Sequence, residues 1–92
     1  MRKLRLIRFH ATWCAPCKMF AQTFAKLKEQ EGFENDVFVE YDAEDSPEEV
    51  EKYGVMNLPT TTVVDAETGE FIANITGNLR LEDLVKTINE LR

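Results

Sequence analysis

The runs TTTVVD (60–65) and EFIANI (70–75) are rich in β-branched and aromatic residues and stand only four residues, AETG, apart. Such runs read as strands, and a connection that short leaves no room for a crossover helix, so the two pair as an antiparallel hairpin. Two earlier runs, LRLIRFH (4–10) and DVFVEYD (36–42), also read as strands but are apolar on both faces, as in the middle of a sheet. Between them Met19, Phe20, Thr23, Phe24 and Leu27 recur at helical spacing, with Gly32 expected to close that helix. Two charges interrupt the apolar strands: Arg8 in the first and Glu40 in the second.

SPEE (46–49) opens a short helix, with Ser46 as the expected cap, Pro47 at the first helical position and Glu49 completing a capping box. Gly54 ends it. In RLEDLVKTINELR (80–92), Leu81, Leu84, Val85, Ile88 and Leu91 form one apolar stripe, and such a helix needs a sheet to cover. The order β-α-β-α-β-β-α closes most simply as an α/β fold, a four-stranded mixed sheet flanked by helices. Ninety-two residues are expected to make one domain, 1–92, because a second core is not available at this length.

Seventeen acidic residues against eleven basic ones give a net charge of -6, concentrated in EYDAEDSPEEVE (40–51), which argues against nucleic acid as a partner. The basic start, MRKLRLIR, is not followed by the apolar run and small-residue site of a signal peptide, and no segment is long enough to span a membrane. The expected setting is the cytoplasm, where the reducing pool would open an idle disulfide.

Both cysteines lie in FHATWCAPCKMF (9–20), Cys14 just past the first strand and Cys17 in the first turn of the helix. The positive end of that helix favours a thiolate at Cys14. A zinc site needs four ligands, and Cys14, Cys17 and His10 leave one missing. A purely structural disulfide across three residues removes little chain entropy. A redox pair at a strand-helix junction is what remains.

WCAPCK resembles the WCGPCK of the thioredoxin family, differing at Ala15, and GVMNLPTTTVVD resembles that family's cis-proline segment, with TGE and ITG in matching positions toward the C-terminus. The likeness covers nearly the whole chain, without the strand and helix that usually precede it, so the chain looks like a trimmed thioredoxin of glutaredoxin-like size. It implies a thiol-disulfide oxidoreductase that reduces protein disulfides, with no bound cofactor beyond the redox-active disulfide and most simply as a monomer. Cys14 would attack and Cys17 resolve, while Trp13 shields the sulfurs and Pro16 helps set the redox poise. Pro59 would be cis, the Leu58 backbone would pair with an incoming substrate strand, and Gly77 would keep the docking surface flat. A thioredoxin reductase is the implied electron donor. Glutathione is the alternative, and a binding subunit with dispensable cysteines is the reading from another class.

The departures from the family concern Arg8, Glu40 and His10. Arg8 stands where the family usually carries a buried aspartate, and an ungapped match puts Glu40 at the position of that aspartate's lysine partner. A partly buried Arg8–Glu40 ion pair beneath the disulfide is therefore expected, since either charge alone inside the sheet would be costly. A guanidinium cannot act as a base, which leaves Glu40 or water to take the proton from Cys17, and a cation there would make the couple more oxidising. His10 replaces an aromatic residue and reads as a packed or solvent-touching histidine.

Overall fold

The computed structural model describes all 92 residues. Its elements are β1 (Leu4–His10), α1 (Ala15–Leu27), β2 (Val37–Asp42), α2 (Pro47–Lys52), β3 (Thr60–Asp65), β4 (Phe71–Thr76) and α3 (Leu81–Leu91). The four strands form one sheet in the order β2-β1-β3-β4. The connection through α1 makes β1 and β2 parallel, whereas β1–β3 and β3–β4 run antiparallel, so the sheet is mixed.

Alternation along β1 divides the core. Leu4 and Leu6 turn to one face, where Phe20, Phe24 and Leu27 of α1 and Leu84 and Ile88 of α3 cover them together with Phe33 and Val63. Ile7 and Phe9 turn to the other face and pack with Tyr53 and Val64. Arg8 belongs to the first face by the same alternation, which places a charge in the row above Leu6. Met19 lies off the apolar stripe of α1 and is 67% exposed, because one residue's step turns it about 100° from Phe20.

Three local expectations are corrected by the geometry. Helix α1 ends at Leu27, and Gly32 sits in the following turn with φ +93°, where its N–H donates to the Glu34 carboxylate. Ser46 makes no side-chain cap bond, so the capping box is not formed; Glu48 and Glu49 meet the positive end of α2 as charges in its first turn. Strand β4 runs Phe71–Thr76 rather than 70–75, and its pairing with β3 slips by one residue between Val63 and Val64, which leaves Ile72 as the extra residue inside the strand.

The hairpin turn is held by Asp65. Its Oδ1 accepts the N–H groups of Glu67 (2.8 Å) and Thr68 (2.9 Å), and its Oδ2 lies 3.2 Å from Arg2 Nε. These backbone donors, chiefly that of Thr68, hold the Asp65 carboxyl below its ordinary range.

At the N-terminal end of β1 and β2, Asp36 and Arg92 close the molecule. Arg92 Nη1 and Nη2 donate to the two Asp36 oxygens at 2.9 and 2.7 Å, and the two side chains are only 6% and 2% exposed. Asp36 Oδ1 also accepts the Leu4 N–H at 2.9 Å, and the guanidinium lies 5.0 Å from the Phe33 ring centroid. One bidentate pair, with the Leu4 amide on the same carboxylate, thus ties the C-cap of α3 to the first residue of β1.

Truncating Arg92 to Ala leaves a buried carboxylate short of its partner, and we predict a loss of about 3 kcal/mol in urea unfolding, with Asp36→Ala and Arg92→Ala together costing less than their sum. Asp65 gives an acid-dependent term. A carboxyl held below its unfolded-state value lends stability that is complete above the ordinary aspartate range and is lost as pH falls through the lowered folded-state value. The urea midpoint should therefore fall between about pH 5 and pH 2, and less steeply in Asp65→Asn. Thr61, whose buried hydroxyl finds no partner, is expected to accept replacement by Val with stability unchanged or raised by about 1 kcal/mol.

Candidate active site

The C-terminal end of β1 delivers the chain to the cysteines. Ala43 N–H donates to the His10 carbonyl at 2.8 Å, fixing the strand end to the β2 side, and Cys14 N–H donates to the Ala11 carbonyl at 3.2 Å to close the turn. Cys14 then caps α1 with an extended backbone, its Sγ accepting the Cys17 N–H at 3.2 Å. Pro16, in the first turn, has no N–H to satisfy, so it suits the helix start.

Cys14 and Cys17 are joined in a disulfide with their Cα atoms 5.2 Å apart. Cys14 is 5% exposed and Cys17 1%, whereas Trp13 beside them is 67% exposed and Ala15 also faces solvent. The disulfide is therefore a nearly covered group at the foot of an exposed aromatic residue.

Antiparallel pairing brings the proline segment to the same place. Because Phe9 of β1 pairs with Thr60 of β3, residues 58 and 59 arrive at the sheet end where the cysteine turn begins. The Leu58–Pro59 peptide bond is cis, and Leu58 packs against the cluster of Ala11, Cys14 and Cys17. Thr60 Oγ1 donates to the Asn57 carbonyl at 2.6 Å, and Gly77 N–H donates to the Pro59 carbonyl at 2.9 Å. Gly77, at φ +105°, is in a region that a side chain rarely adopts, so glycine is needed for the turn out of β4. The cysteine turn, the Leu58–Pro59 turn and Gly77 thus converge from three segments.

Sequence reasoning passed over Met56. It is exposed beside the same proline turn, and the signal was available: a large apolar residue inside a turn, where burial cannot explain it.

Arg8 and Glu40 are register partners on neighbouring strands. Arg8 Nε and Nη2 both donate to Glu40 Oε1, at 2.7 and 2.6 Å, while Nη1 donates to the Cys17 carbonyl at 3.4 Å. Arg8 is 9% exposed at its side chain and Glu40 45%, so the pair is buried at its cationic end and wet at its anionic end. His10 is half-buried and lines, with Arg8, Thr12, Cys17 and Lys18, an open cleft of about 150 Å³. No group of three or more His, Cys, Asp or Glu side chains is placed to hold a metal ion. No helix is long and apolar enough to cross a membrane.

Known proteins with these features have been described. The thioredoxin family model matches residues 1–90. The chain is 36% identical over 87 residues to a thioredoxin of Listeria monocytogenes, covering 95% of this chain and 82% of that one. It is 37% identical over 89 residues to the thioredoxin of Oryctolagus cuniculus, covering 97% and 80%. Among solved structures, the oxidised mitochondrial thioredoxin 3 of Saccharomyces cerevisiae superposes with a TM-score of 0.81 at 30% identity, covering 98% of this chain and 80% of that one. The shared fold, the Cys14–Cys17 disulfide at a strand-helix junction and this level of identity lead to one conclusion: the chain belongs to the thioredoxin family and is a thiol-disulfide oxidoreductase.

Proposed function

We propose that residues 1–92 act as a single-domain cytoplasmic protein-disulfide reductase in which Cys14 attacks and Cys17 resolves. The observation that carries this reading is the asymmetry of the two sulfurs. Cys14 Sγ sits at the N-cap and already accepts the Cys17 N–H, so charge developing on it meets a backbone donor and the positive end of α1. Cys17, in the first turn of the helix and 1% exposed against 5% for Cys14, is placed to attack a disulfide formed on Cys14.

The Cys14 thiolate attacks one sulfur of a substrate disulfide, forming a mixed disulfide and releasing the other substrate sulfur as a thiolate that takes up a proton. Cys17 loses its proton to solvent and attacks Cys14 Sγ. The second substrate thiolate leaves, and Cys14 and Cys17 are oxidised as the substrate gains two electrons. Trp13 beside the covered disulfide and Met56 next to the proline turn offer exposed apolar contact, and the Leu58 backbone offers the extended edge against which a substrate segment pairs. A flavoprotein thioredoxin reductase restores the dithiol. The protein works without a bound cofactor in this reading and as a monomer.

Insulin reduction tests it. With NADPH and a thioredoxin reductase the wild-type protein should precipitate insulin B chain, and Cys14→Ser should fall to the uncatalysed rate. Cys17→Ser should retain substrate proteins as mixed disulfides on Cys14 that dithiothreitol releases. Turnover with glutathione and glutathione reductase, but not with thioredoxin reductase, would replace the assigned donor by glutathione. An empty Cys17→Ser trap would remove the reductase reading.

A further inference from the structure

We propose that the Arg8–Glu40 pair sets the reduction potential of the Cys14–Cys17 couple, Arg8 as the buried cation that favours the reduced form and Glu40 as the half-exposed carboxylate that tempers it. The inference rests on Cys14 and Cys17 being a cycling pair.

Burial and direction support it. Arg8 occupies a core row of β1, above Leu6, and its guanidinium lies between Glu40 of β2, which takes Nε and Nη2, and α1, where Nη1 reaches the Cys17 carbonyl at 3.4 Å. A cation there is costly to desolvate and keeps its field, because little water lies around it to screen it. The charged and titratable groups around Cys17 are Arg8 and His10 on β1, Lys18 on α1, and Glu40 on β2, which acts through Arg8; Asp42 pairs in register beside His10. Lys18 is exposed and His10 half-buried. Arg8 is the one among them that is both buried and bonded to the backbone of a redox cysteine.

The sign follows from the chemistry. When two glutathione thiols reduce the Cys14–Cys17 bond, they become one glutathione disulfide and pass two electrons to the pair. One of their two protons stays on Cys17, and the other goes to solvent when Cys14 remains a thiolate. Reduction therefore creates a negative charge where the oxidised protein has none. A fixed cation nearby stabilises the product alone and moves the potential up, and a fixed anion moves it down. Arg8 exerts this effect without exchanging a proton, since guanidinium stays charged. Glu40 stands on the far side of Arg8 and is nearly half exposed, so water weakens its share and the net field at the cysteines is positive.

A pair that served only to hold β1 and β2 together would respond alike to loss of either partner. A tuning pair responds with opposite signs. In glutathione redox buffers read by thiol alkylation, with no partner enzyme present, Arg8→Met should lower the equilibrium constant for reduction about fivefold and Glu40→Gln should raise it about threefold, against tenfold for each 29.6 mV. Arg8→Lys, which keeps the charge, should stay within about twofold of wild type. Shifts in one direction, or none beyond twofold, overturn the proposal. Should Arg8→Met fail to fold, Glu40→Gln decides: an unchanged or lowered constant overturns it, and a raised one supports it. A wild-type disulfide that does not exchange with glutathione at all removes the oxidoreductase cycle together with this inference. A normal wild-type titration with unmoved variants removes the inference alone.

Discussion

The pairing of β1 with both neighbours is the interaction on which the rest depends. β1 lies inside the sheet, parallel to β2 on one side and antiparallel to β3 on the other. Its inner residues are therefore covered on both faces and hydrogen-bonded on both edges. Everything at its C-terminal end inherits that rigidity. The parallel neighbour fixes His10 through Ala43, and the antiparallel neighbour brings Pro59 alongside. A site whose parts come from residues 8 to 17, 58 and 59, and 77 is thus held by one strand and its two ladders. Loops alone could not hold two sulfurs and a proline turn in register, because each would add its own freedom.

A charge in the middle of such a strand carries a burden that apolar residues do not. Replacing Arg8 by an aliphatic residue would continue the Leu4, Leu6 row without any desolvation cost, and buried ion pairs are often no more stabilising than the apolar residues that could replace them. The same face bears a further polar anomaly at Thr61, the register partner of Arg8 on β3, whose hydroxyl is left unpaired. On β1 and β3 the apolar residues of this face thus give way to polar ones at Arg8 and Thr61, where Arg8 reaches the Cys17 carbonyl. Polar residues placed there contribute little to folding, and their position next to Cys17 is the reason to look for their role in electron exchange rather than in stability.

Much of this was legible in the residues, and the exceptions have causes. The strand runs, the hairpin and the apolar stripe of α3 follow from period and turn chemistry, and these elements lie within a residue of where the runs place them. The slip in the β3–β4 pairing at Ile72 was not legible, since it depends on both strands and neither encodes it alone. Ser46 reads as a cap because the residue type suits one, yet its hydroxyl makes no cap bond, and capping is decided by side-chain orientation rather than composition. At the site, spacing alone left metal, staple and redox open for Cys14 and Cys17; their placement on a strand-helix junction, and the proline turn brought beside them by pairing, narrowed the choice. The Asp36–Arg92 clamp was not legible, because nothing local marks residues 56 positions apart as partners.

That clamp and the redox site lie at opposite ends of β1. Asp36 grips the strand at Leu4, and Cys14 follows its exit at His10, about 20 Å away at the rise of an extended chain. The separation matters for a domain of this size. The reduced protein must stay folded while its only covalent cross-link is open, so the links that close the chain have to be independent of the cysteines. A bidentate pair that is dry, satisfied by the Leu4 amide and backed by Phe33 meets that need at the far end of the sheet. The disulfide, spanning three residues, constrains little of the unfolded chain. Opening it changes charge and reactivity locally while the long-range closure between the first strand and the last helix stays in place.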